Sequence, residues 1–239
     1  MEEYKEEAEL VLGKAIQSVV FKYNAYAPII SSLQVVYDDM VPTMGVDKYA
    51  RMVVNPKFLV ENKAYAQGML IHEVLHIFMG HTGDDRKKLE YTDDLQHNQI
   101  VNVAEDCAIN QFIREPLPDG AIMPSNLEKA IKRPLSYNQD AEYYFDEIMK
   151  SDQQQSGGGG SGSSSSGDSE TQSSLSSLAG NNSDHTGNIN TQEIQDKLDK
   201  MGVKHISPEE VNDRVMDVAK EVAKSQGNQY GSLVDFAKK

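Results

Sequence analysis

The sequence predicts an α+β fold on three observations: long segments carry apolar residues at helical spacing, two short segments read as β-strands, and turn signals separate them. Of the 239 residues, 38% are hydrophobic and 25% charged, an ordinary balance for a globular protein once one polar stretch is set aside. The length allows one medium domain with extra segments or two small ones, since domains run to roughly 100–200 residues.

The first element is a helix from Glu2 to about Lys22, carrying Leu10, Ile16, Val19 and Val20. Strands are expected at Leu33–Tyr37 and Tyr49–Val54, the second closed by the Asn55-Pro56 breaker. Tyr49–Val54 is expected at a sheet edge, where an extended peptide substrate can add a strand. A helix from about Lys63 to Met79 follows. Met69, Leu70, Ile71, Val74, Leu75, Ile77 and Phe78 make it apolar on most sides, so it must be buried. The next helix runs from Thr92 as N-cap, with Asp93 and Asp94 in its first turn, to about Arg114 before Pro116.

Residues 1–150 read as one domain. Residues 151–190 are dominated by Gly, Ser, Asn and Gln and cannot bury enough apolar area to offset chain entropy, which predicts a disordered linker. Residues 191–239 read as a small amphipathic helical module. Ser207 is its N-cap, Pro208 its first residue and Glu210 completes a capping box. Val211, Val215, Val218 and Val222 then form one stripe, and Gly227 stops it. A short isolated helix is marginal in water, so this stripe is expected to dock on the first domain or on a protein partner.

Composition excludes several roles. Cys107 is the only cysteine, so neither an intrachain disulfide nor a multi-cysteine zinc cluster is possible. A net charge of −14 with no basic patch argues against nucleic acid. No run approaches the roughly 18 apolar residues of a membrane-spanning helix, and the acidic N-terminus is unlike a signal peptide. A cytoplasmic protein with no membrane partner is expected.

The chemistry is concentrated in Ile71-His72-Glu73-Val74-Leu75-His76, an HExxH motif on the buried helix. At 3.6 residues per turn, His72 and His76 lie on one face and can bind a single Zn2+. Glu73 is then placed to take a proton from a zinc-activated water and pass it to the leaving amine. Two histidines and a glutamate in apolar surroundings carry a desolvation cost unless something satisfies them. Metal binding would do so.

A third ligand is needed, and two residues are candidates. Asp106 belongs to a polar stripe, Asn98, Asn102, Asp106 and Asn110, recurring every four residues along the next helix. If Asp106 closes the metal shell, Asn102 and Asn110 can orient the ligands from behind. His81 would point away by about 140° on a continued helix, but Gly80 can turn the chain back. The three-histidine pattern HExxHxxGxxH does not fit, its interval being one residue longer. Tyr143 or Tyr144 is a candidate donor to the oxyanion of a peptide substrate.

The segments VDKYARMVVNPKFL, MLIHEVLHIFMGH, NVAEDCAINQFI, LPDGAIMP and DAEYYFDEI occur in the order seen in a known family. Residues 25–150 resemble the putative metallopeptidase domain that often precedes a von Willebrand factor A-like domain. Its HExxHxxxxH and AxDxxIN signatures fall on His72, Glu73, His76, His81, Ala104, Asp106, Ile109 and Asn110. The resemblance implies a zincin-like fold and a peptidase acting on peptide or protein substrates. Two features depart from the family. No DxSxS-type sequence follows, as expected of a stand-alone or phage-type form in a bacterial cell, and the family's Arg after the third His is displaced to Arg86, which receives no role. The rival expectation is a catalytically silent, metal-stabilised adaptor recruiting a partner through its C-terminal helix. Glu73 discriminates the two, because a structural site needs the histidines but not the acid.

Overall fold

A computed structural model describes residues 2–83, 86–156, 189 and 191–225. Among these are nine α-helices and one three-stranded sheet, the mixed architecture expected. The chain divides into two units, the first holding α1–α4, the sheet, residues 112–119 and the C-terminal helices, the second holding α5–α7. No helix among the described residues is long and apolar enough to cross a membrane.

In the first unit, α1 (Glu2–Lys22) buries Ala8, Leu12, Ala15 and Val19, spaced by four, three and four residues. Leu10, expected on that stripe, is exposed; small alanines complete it instead. After α2 (Ala27–Ile30) come β1 (Gln34–Tyr37), β2 (Met44–Val46) and β3 (Arg51–Val54), in the spatial order β1-β3-β2. β3 runs parallel to β1, with Gln34 opposite Arg51, and antiparallel to β2, with Met44 opposite Val54. This corrects the expectation of an edge strand at Tyr49–Val54. β3 is central, all four of its residues are buried, and its backbone is paired on both sides, so no substrate strand can add to it. β2, which occupies the second side, was not foreseen; three residues around a glycine are too short to show alternation.

Asn55 caps α3 (Pro56–Glu61) by accepting from the Phe58 N–H at 3.2 Å. A 3-10 turn at Lys63–Tyr65 leads into α4 (Ala66–Phe78), ten of whose thirteen residues are buried. α4 packs against α1, α2, β2 and the last C-terminal helix. Gly68 permits its close approach to residues 112–119, since a Cβ there would lie 2.3 Å from the Pro116 carbonyl oxygen.

In the second unit, α5 (Leu95–Asn110), α6 (Pro124–Ile131) and α7 (Ala141–Ser156) share one core, in which Val101, Ala104 and Ala108 meet Leu127, Ile131, Tyr144 and Ile148. α5 begins later than Thr92. Its cap is Asp94, whose carboxylate accepts from the N–H groups of Gln96 at 2.9 Å and His97 at 3.3 Å, while Thr92 Oγ1 accepts from the Asp94 N–H. α5 ends at Asn110, short of Arg114.

Of the stretch read as a linker, residues 151–156 continue α7 and Ile189 is described; the rest lies outside the described residues, as does Gly227. The C-terminal helices α8 (Gln192–Lys200) and α9 (Pro208–Lys224) pack in the first unit. Ile189 and Leu198 bury against Val41 and Val53, while Val211, Val218 and Val222 are the buried stripe of α9. Ser207 caps α9 through the Glu210 N–H, as the sequence indicates. Arg51, 1% exposed, pairs with Asp47 at 2.7 Å and with Asp199 of α8 at 2.6 Å. Burial works against the Arg51 charge, yet the hydrogen bonds and charges of Asp47 and Asp199 outweigh it and hold the guanidinium above its ordinary pKa.

Candidate metal site

α4 places His72 and His76 one turn apart, and their rings turn edge to face with centroids 4.7 Å apart. The two Nε2 atoms face each other at 3.1 Å, and both side chains are half-buried. Two nitrogens held by one tetrahedral zinc at about 2.0–2.1 Å stand about 3.3 Å from each other, so this donor pair fits a shared ion. Glu73, the residue between them in the motif, is only 6% exposed.

The chain leaves α4 in a Schellman turn. Gly80 adopts φ +74°, its N–H donates to Ile77 O at 3.1 Å, and the His81 N–H donates to His76 O at 2.9 Å. A left-handed residue at this point is what glycine supplies. The turn brings His81 back, as its sequence position after Gly80 suggests, but to the other nitrogen of His76: the Nδ1 atoms lie 3.3 Å apart. His76 thus has His72 at Nε2 and His81 at Nδ1.

In the second unit the polar stripe of α5 divides its duties. Asn98 folds back onto Thr92, accepting from its N–H at 2.9 Å and donating to its carbonyl at 2.8 Å. Asn110, 1% exposed, donates to Ile122 O at 3.0 Å. Asn102 accepts from the Tyr91 hydroxyl, and Asp106 is half-buried.

Three further residues cluster in this unit: Glu105 and Tyr91, which the sequence does not single out, and Arg86, to which it assigns no role. Glu105, 1% exposed, forms a buried ion pair with Arg86, whose guanidinium sits 4.7 Å over the Tyr91 ring. The Tyr91 hydroxyl reaches Glu105 Oε2 at 3.2 Å as well as Asn102. Burial pulls the Arg86 guanidinium below its ordinary pKa and pushes the Tyr91 phenol up to about 12, so the phenol keeps its proton. One signal was available: Glu105 shares a helix face with Val101, Ala104 and Ala108, and a carboxylate on an apolar stripe demands a counter-charge.

Tyr144, a candidate oxyanion donor, has its hydroxyl engaged within its own unit. It is fully buried in the core of its unit, its hydroxyl held between Gln111 Oε1 at 3.0 Å and Ser136 O at 3.2 Å, and the Tyr143 hydroxyl accepts from the Ser136 N–H. Cys107 is buried as well. Burial, with a contribution from the Asp106 carboxylate, pushes its thiol well up. Among the described residues, the grouped side chains able to hold a metal ion include His72, His76 and His81 in the first unit and Glu105 and Asp106 in the second.

A family model described as "putative metallopeptidase domain" matches residues 7–239. The chain belongs to that family. No curated protein and no solved structure gives a match. Membership of the metallopeptidase-domain family covers more than the segments that carry the sequence resemblance, reaching from α1 through α9. At the level of the family's name it implies a metal cofactor and peptide or protein substrates.

Proposed function

We propose that this chain is a zinc-dependent peptidase of zincin-like fold, in which His72, His76 and Asp106 hold the metal and Glu73 is the general base and acid. The facing Nε2 atoms of His72 and His76, at 3.1 Å on a buried helix in a metallopeptidase-family chain, carry this reading. Zinc held there supplies Lewis acidity toward the scissile carbonyl and the attacking water. Glu73 accepts the proton of that water on its carboxylate and returns it to the leaving amine. Its burial beside the histidines favours turnover over a silent adaptor, which has no use for the acid.

Asp106 is preferred to His81 as third ligand for a geometric reason. His81 approaches His76 at Nδ1, the nitrogen left over when Nε2 faces His72, and a partner at that position fixes the ring's tautomer and orientation. Asn102, one turn before Asp106, steadies the same helix face, while Asn110 anchors α5 to Ile122.

Elemental analysis tests the ligand set. One zinc per chain is expected, lost in His72→Ala, His76→Ala and Asp106→Ala and kept, with weaker binding, in His81→Ala. Zinc retained by Asp106→Ala but lost by His81→Ala would reverse the choice of third ligand, and no zinc in the native chain would sink the reading.

A further inference from the structure

α5 offers two adjacent carboxylates, Glu105 and Asp106, and the reading above uses one of them. We propose that Arg86 and Tyr91 are positioning residues that hold Glu105 and Asn102 in place and so commit Asp106, and not Glu105, to the metal. This inference rests on the proposed function.

The geometry within the second unit supports it step by step. Glu105 is buried, with Oε1 in an ion pair with the Arg86 guanidinium and Oε2 accepting from the Tyr91 hydroxyl. A carboxylate so held cannot turn toward a cation without breaking a buried ion pair. Asn102, four residues before Asp106 and therefore its neighbour on the helix face, is gripped by the same phenol. The two side chains flanking Asp106 on α5 are thus both fixed by Tyr91, and Tyr91 is fixed by Arg86 stacked on its ring. The Asp106 carboxylate acts electrostatically on the Tyr91 hydroxyl, which places it within the same polar cluster. The ring of Tyr91 packs on the apolar core of its unit, so replacement by Phe removes the hydroxyl and keeps the packing.

The test uses the full chain, stripped of metal and titrated with zinc against a chromogenic chelator, together with thermal unfolding of the metal-free protein. Tyr91→Phe is expected to weaken zinc binding about 10- to 100-fold, the usual cost of losing a group that orients a ligand, while the metal-free protein still unfolds cooperatively with a melting temperature lowered by only a few degrees, the cost of a lost buried hydrogen bond. Asn102→Ala should act in the same direction, which keeps the test open if Tyr91→Phe folds poorly. Native zinc affinity in both variants, while Asp106→Asn loses the metal, would overturn the inference and leave the proposed function standing. Affinity lost by Tyr91→Phe only together with the metal-free fold, and untouched by Asn102→Ala, also overturns it. If Asp106→Asn binds zinc as the native chain does, the ligand assignment itself fails.

Discussion

His72 and His76 occupy neighbouring positions because a helix leaves no other option, and for that reason they were legible at once: spacing of four in an apolar helical run fixes a shared face. His81 was legible only in part. Gly80 announced a turn, but which nitrogen of His76 the returning ring would meet depends on φ at Gly80, and no sequence pattern encodes that angle. Buried ion pairs were invisible for a different reason. Arg86 and Glu105, like Arg51 and Asp47 with Asp199, become partners through packing, and a lone Arg reads as surface until its burial is known. Asp47 shows the energetic weight of such a pair. Its carboxylate is fully buried and accepts from Arg51 Nε and from the N–H groups of Tyr49 and Arg51. Asp47→Ala leaves the Arg51 charge with Asp199, Gln195 and the face of the Tyr49 ring, and chemical denaturation is expected to show a loss of about 3–5 kcal/mol. A loss below about 1 kcal/mol, the range of exposed pairs, would mean that the pair is solvated in solution.

Among the elements, length decides what the sequence makes legible. α1, α4 and α9 were placed closely because each is long enough for a period of 3.6 to repeat. The sheet was read from two strands when it has three. β2 is too short to alternate, and without it β3 looked like an edge, although its continuous Met52-Val53-Val54 run is the mark of a strand buried on both faces. α5 was begun at the wrong cap because Thr92 and Asp94 are both good N-cap residues, and only the local hydrogen bonds choose between them. At this scale Gly68 is the sharpest test. The approach of α4 to Pro116 has no room for a methyl group, so Gly68→Ala is expected to cost about 1–3 kcal/mol of stability in thermal unfolding despite alanine's better helix propensity. A stabilised Gly68→Ala would show that α4 and residues 112–119 do not approach in this way.

For the molecule as a whole, composition separated a globular beginning, a polar stretch and an amphipathic ending, yet it could not say where the ending packs. Val211, Val218 and Val222 announced a buried stripe without its partner; the partners are α2 and α4 of the first unit, while α8 is held by Arg51 and by Lys197 on Asp38. The family match extending to residue 239 agrees with a C-terminal segment that belongs to the family's unit of sequence. At this scale the proposed function rests on one combination, two facing histidines that fit a shared metal ion and a buried acid between them in the motif, in a chain of the metallopeptidase-domain family. The most direct measurement is casein hydrolysis by the intact chain, stripped of metal and then titrated with zinc, beside Glu73→Gln. Activity should return in step with one zinc per chain, and Glu73→Gln should bind the same zinc while hydrolysis falls by about 100-fold or more. Hydrolysis that survives metal removal, or that is unchanged in Glu73→Gln, would contradict a zinc peptidase working through this acid.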